Sequence, residues 1–224
     1  MVAPEKTKHS EFRVFVEGGG DHNASLAAAC KEGFGKFFAK AGLLRSPRIV
    51  VCGGRMSAYE DFCHAITQAR QHDCYLLLVD SEAPIVFSKS PDVWGHVKLR
   101  DGDGWACPTG ATADNLHFMV ECMENWFLAD PAALGAYYGR QFKKAALPKE
   151  NDIESVSKAD VINALNKATR NTATKGRYSK GKHSFEILAK LDPIKIAQKS
   201  PFACRMFEEI RKRSGANQLN CVPS

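Results

Sequence analysis

Two short apolar runs in this chain end in carboxylates. Phe12 to Asp21 reads FRVFVEGGGD, a buried strand (Val14, Phe15, Val16) that runs into Glu17, three glycines and Asp21. Tyr75 to Glu82 reads YLLLVDSE and ends in Asp80 and Glu82. A desolvated, unpaired carboxylate is strongly destabilising, so an acid at the end of a buried strand calls for a partner. A divalent metal is the simplest one. Two neighbouring strands of this design would gather three or four acids around one point, and the chemistry this suits is Mg²⁺- or Mn²⁺-dependent phosphoryl transfer.

The glycine turn bears on the same choice. A GGG segment between strand and helix can cradle phosphate on backbone N–H groups. Yet no Gly-Lys-Ser/Thr follows and GxGxxG is not matched, which excludes a P-loop and a dinucleotide fingerprint. Acids at both ends of the turn favour a metal over a bare phosphate.

The elements that must position these acids follow from periodicity. Asn23 to Lys40 has a helical stripe (Leu26, Ala29, Cys30, Phe34, Phe37, Phe38), with Asp21 or Asn23 as N-cap, although Gly33 and Gly35 weaken it. Arg48 to Cys52 is a β-branched strand, Ser57 to Gln71 a helix, and Tyr75 to Val79 a third strand. The order β-α-β-α-β with short joins predicts an α/β fold, a parallel sheet flanked by helices. In such sheets sites form at the carboxyl ends of strands, where Glu17 and Asp80 stand.

Residues 83–115 read as irregular, and Asp101-Gly102-Asp103-Gly104 as a surface turn, since the downstream Glu of a calcium loop is missing. His117 to Val120 reads as a fourth strand, and Asp130-Pro131 as the cap of a helix to Tyr138 that stops at Gly139. From Arg140 the texture changes to lysine-rich helices: Lys158 to Arg170, Lys182 to Leu191, and Pro201 to Arg213. The polar stretch Asn171 to Lys182 is expected to be mobile without a ligand. The organisation read from this is an α/β metal-binding domain over 1–139 and a basic helical part over 140–224.

Composition sets the class. The 224 residues are 44% hydrophobic and 25% charged, as in ordinary soluble proteins, and no apolar run is long enough to span a membrane. The formal charge of +6 is unevenly spread, with 18 Lys and Arg against 8 Asp and Glu between Arg140 and Arg213. An acidic first part beside a basic last part suits a metal site next to a polyanion surface. The N-terminus lacks the apolar core of a signal peptide. Eight cysteines without a CxxC pair point to reduced thiols in a cytoplasmic protein.

A strand ending in Glu-Gly, then a strand ending in Asp-x-acid, in β-α-β-α-β order, resembles the TOPRIM fold of topoisomerases, primases and OLD-type nucleases. The matching residues are Glu17 and Asp80-Ser81-Glu82, and the EGGGD turn is similar to that of the OLD-like branch, which implies Asp21 as a further ligand. The segments VEGGGD, MENWFLADPAALGAYYG and KGKHSFEILAKLDP…SPF, across residues 12 to 210, look like an uncharacterised family of stand-alone TOPRIM-like bacterial proteins. Such proteins are often encoded beside ATPases and associated with phage defence or mobile elements. The chain departs from the TOPRIM pattern in having Glu82 where an Asp is usual, and no tyrosine can be assigned a strand-cleaving role.

The resemblance implies a nuclease with two ions. Glu17, Asp80 and Glu82 would hold the first, Asp21 and Glu124 the second, with Glu121 a competitor for Glu124. Lys180, Lys182 and His183 would meet the scissile phosphate, and Lys175 and Arg177 would add to the nucleic-acid surface. The rival reading is a subunit of a separately encoded ATPase, inactive by itself. A third is a small-molecule phosphate hydrolase. The geometry that all of this requires is that Glu17 and Asp80 lie side by side and that neither is held by an arginine.

Overall fold

In a computed structural model, which describes residues 10–20, 23–85, 88 and 91–214, four parallel strands form one sheet in the order β2-β1-β3-β4. They are β1 (Phe12–Val16), β2 (Arg48–Val51), β3 (Cys74–Asp80) and β4 (Leu116–Met119). Val14 pairs with Ile49 on one side and Leu76 on the other, and Leu78 pairs with His117. The expected α/β class is borne out. β3 is buried along its whole length because helices cover both faces of the sheet.

Side-chain alternation sorts the strands between two apolar layers. Phe15, Tyr75, Leu77 and Val79 face α2 (Arg55–Thr67) and α3 (Val93–Leu99) through Ala58, Phe62 and Val97. Val14, Val16, Leu76 and Leu78 belong to the larger core with Phe34 and Phe37 of α1 (Ala24–Ala39), and Trp126. That core continues into α4 (Pro131–Tyr138), α5 (Lys158–Thr169), α6 (Ser184–Leu188), α7 (Pro193–Lys199) and α8 (Pro201–Ser214), so residues from both sides of position 139 share it.

Several local readings are corrected. The segment 83–115 contains α3, and α7 occupies part of the lysine-rich region; both have 7 residues, too few to show periodicity. The helix expected from Lys182 to Leu191 is shorter, at Ser184–Leu188. Met123–Ala129 is a 3₁₀ segment. Asn23 caps α1, its side chain accepting from Leu26 N at 2.9 Å. Gly33, read as a weakness of α1, is where α6 approaches it: a Cβ there would stand 2.7 Å from the carbonyl oxygen of Phe185.

The turn after β1 needs its glycines. Gly19 has φ +86°, and a Cβ on it would meet Val51 Cγ1 at 2.5 Å and Ala27 Cα at 2.9 Å. Gly18 and Gly53 exchange backbone hydrogen bonds at 2.9 and 3.0 Å, fastening the ends of β1 and β2 together. Glu17 is thereby set at the rim of the sheet.

Candidate functional site

Glu17, Asp80, Glu124 and Lys180 line one cavity of about 300 Å³, together with the glycine turn and Phe185. It lies at the carboxyl ends of β1 and β3, where an open parallel sheet places its sites. The expected neighbourhood of Glu17 and Asp80 is present.

Asp80 is buried, and its Oδ1 accepts from Met123 N at 2.8 Å. Burial, then the charges of Glu17 and Glu124, push its carboxyl well above the usual range, with Lys180 opposing. Burial likewise raises Glu17, opposed chiefly by Arg55. A carboxyl raised by burial and by neighbouring acids in a cleft, as at Asp80, marks a candidate functional site.

Glu124 is fully buried on the 3₁₀ segment after β4. Its Oε1 accepts from Tyr178 Oη at 2.6 Å and from Ser184 Oγ at 3.2 Å. Oε2 has no hydrogen-bond partner, and Lys180 Nζ stands 3.8 Å away. Burial would lower the pKa of Lys180, but Glu124, Asp80, Cys122 and Glu82 outweigh it and hold the ammonium above its ordinary value. Glu121, the competitor, is turned to another task, accepting from Lys158 N at the start of α5 at 2.9 Å.

Two acids are engaged. Arg55 Nη1 lies 3.1 Å from Glu17 Oε2, so the expectation that no arginine holds either acid fails. Arg55 is itself gripped by Asp103, at 2.8 Å from both Nε and Nη2, and lies over the Trp105 ring at 4.8 Å. The turn read as a mere surface loop therefore carries a buried anchor. Glu82 is paired with Lys158 Nζ and has φ +60°, a strained conformation for a residue with a side chain. Asp21 lies outside the described residues.

The residues expected to meet nucleic acid are scattered. Lys180 reaches into the cavity, and Lys182 is exposed. Lys175 pairs with Glu186 at 3.1 Å and lies over the Tyr137 ring, while Arg177 donates to Asn166 at 2.8 Å. His183 is buried: its Nδ1 is 3.1 Å from Tyr138 Oη, among aromatic rings. Neighbours in sequence to Lys182, it belongs to the packing and not to a basic surface.

The stretch 171–182, expected to be mobile, is tethered by Tyr178, whose N–H donates to Thr169 Oγ1 at 2.8 Å. Sequence reasoning missed Arg55, Asp103, Tyr178 and Ser184. One signal for Arg55 was legible: a basic residue just after the Gly-Gly that ends β2, at the same sheet edge as Glu17.

In the conformation described, no three Asp, Glu, His or Cys side chains among the described residues converge closely enough to enclose one ion. Asp80 with Glu124 still fits a Mg²⁺-type ion, which needs only one or two carboxylates and keeps its waters. The orphaned, buried Glu124 Oε2 is the observation that makes the fit.

Fold and site together define a Rossmann-like α/β protein with a buried acidic cleft at the carboxyl ends of a parallel sheet. Over residues 16–211 the chain matches the family described as a domain of unknown function, DUF4276, and it belongs to that family. No curated protein and no solved structure matches it. No helix among the described residues is long and apolar enough to cross a membrane.

Proposed function

We propose that this protein is a metal-dependent phosphodiesterase acting on nucleic acid, with the cleft at Asp80 and Glu124 as its cation seat. The observation that carries this is the orphan Glu124 Oε2: a fully buried carboxylate oxygen without a donor, beside a second buried acid and only a distant ammonium. Leaving such a group unsatisfied costs about 1–3 kcal/mol or more, and a hard cation removes that cost. Because Arg55 holds Glu17 and Lys158 holds Glu82, the two-ion arrangement that the TOPRIM resemblance implied is not carried over, and the resemblance supports the same chemistry through Asp80 alone. A bound Mg²⁺ or Mn²⁺ would supply Lewis acidity toward a phosphoryl oxygen. Lys180, at the mouth, faces where phosphate charge would be received.

The test is plasmid and total-RNA cleavage in Mg²⁺ or Mn²⁺ against EDTA, with Asp80→Asn and Glu124→Gln alongside. Metal-dependent cleavage lost in both variants is the expected result. Cleavage that survives in both overturns the assignment.

A second reading is favoured by the engagement of Glu17 with Arg55 and of Glu82 with Lys158. With Glu17 and Glu82 each held by a cation, the cleft is proposed to act only as a subunit beside a separately encoded ATPase, the arrangement that the TOPRIM resemblance implies. Ion binding without cleavage by the isolated protein would favour it.

A further inference from the structure

Building on the reading of the cleft as a cation seat, we infer that Tyr178 is a positioning residue that holds Glu124 Oε2 toward the ion and joins the seat to the basic stretch 171–182. Both hydroxyl donors to Glu124, from Tyr178 at 2.6 Å and Ser184 at 3.2 Å, fall on Oε1. Two donors on one oxygen fix the rotation of the carboxylate about its last bond. The other oxygen is left without a donor, on the wall of the cavity.

Tyr178 is held from three sides. Its backbone is fixed by Thr169 Oγ1, its ring packs edge-on against Phe127 with centroids 6.4 Å apart, and its hydroxyl also lies 2.9 Å from Ser184 Oγ. Ser184 Oγ in turn accepts from Gly181 N at 3.0 Å. Lys180, two residues after Tyr178, approaches the same carboxylate from the mouth. Carboxylate and basic stretch thus share one hydrogen-bonded unit, and a polar partner that orients a metal-binding carboxylate typically contributes 10–100-fold in affinity.

The test is Mn²⁺ binding by electron paramagnetic resonance to the full chain. Tyr178→Phe keeps the ring and removes only the donor; about 10-fold weaker binding is expected, within the range such partners show. Ser184→Ala should weaken binding in the same direction. In a Glu124→Gln background, Tyr178→Phe should change nothing further, an outcome that a loss of general packing would not produce. Wild-type affinity in Tyr178→Phe, or an equal loss in the Glu124→Gln background, overturns the inference and leaves the cation seat standing. Absence of Mn²⁺ binding by the wild type overturns both.

Discussion

Arg55 Nη1 stands 3.1 Å from Glu17 Oε2 and 2.5 Å from the peptide oxygen of Asp80, so a single guanidinium spans the carboxyl ends of β1 and β3. Its other edge is occupied by the fork of Asp103. Burial alone would lower the arginine's pKa, but Asp103 and Glu17 outweigh it and hold the cation firmly charged. A partly buried positive charge thus backs the acidic rim at Glu17 and Asp80, while the cavity itself is lined by Lys180 and not by Arg55. Glu17 has a hydrogen-bonded partner in Arg55, whereas Glu124 Oε2 has no hydrogen-bond donor and only the Lys180 ammonium at 3.8 Å.

Removing Asp103 should uncover that buried charge. Asp103→Ala is expected to destabilise the protein by about 3 kcal/mol, the low end for breaking a buried pair, because Glu17 still faces Arg55. Urea denaturation measures it. Burial pushes the Asp103 carboxyl up, but the Arg55 hydrogen bonds, then the charges of Arg55 and Arg100, bring it below its ordinary value. A lowered carboxyl contributes stability above its unfolded pKa of about 3.9, lost as pH falls through the folded value. The acid limb of wild-type denaturation should accordingly flatten in Asp103→Asn.

Asp80 has the opposite sign. Its raised carboxyl favours the folded state at pH below the unfolded value, and that contribution is lost as pH rises through the folded one. Asp80→Asn should thus raise the Tm at pH 8 in EDTA while doing little at pH 4. Added Mg²⁺ should raise the wild-type Tm and not that of the variant, which thermal scans at the two pH values would reveal.

A third raised acid lies away from the cleft. Burial pushes Glu154 up to about 7, against hydrogen bonds from Ser200 and from Phe202 N at 2.9 Å, at the start of α8. Its contribution is full below the ordinary glutamate range and fades as pH rises through about 7. Glu154→Gln should remove that part of the pH dependence without changing Mn²⁺ binding, which separates the stability profile of the fold from that of the site.

Gly19→Ala places a methyl 2.5 Å from Val51 Cγ1 at a φ of +86°. The backbone alone should lose about 1–3 kcal/mol, with the clash in addition. Because the same turn carries Glu17, circular dichroism melts and ion binding should deteriorate together. An unchanged Tm would show the turn to be looser than its geometry.

Much of the scaffold was legible in the chain itself. Apolar runs of strand length alternating with helical stripes specified a parallel sheet, and the rule that sites gather at strand carboxyl ends brought Glu17 and Asp80 to one rim. The caps Asn23 and Asp130 were equally local, each a side chain accepting from a backbone N–H three residues on. Such features depend on neighbours within a few residues.

What tertiary structure alone decided lies in pairings that no local pattern encodes. Arg55 meets Glu17 across 38 positions, and Tyr178 meets Glu124 across 54. Glu124, on the 3₁₀ segment after β4, lines the cleft, whereas Glu121, just before that segment, accepts from Lys158 N of α5. His183 went into aromatic packing while Lys182 beside it stayed exposed, since consecutive residues at a helix start face different ways. Charge and residue type announce that an acid or base is present; the partner it finds is set by how distant segments pack, and here that decides which carboxylate is spoken for and which is left open.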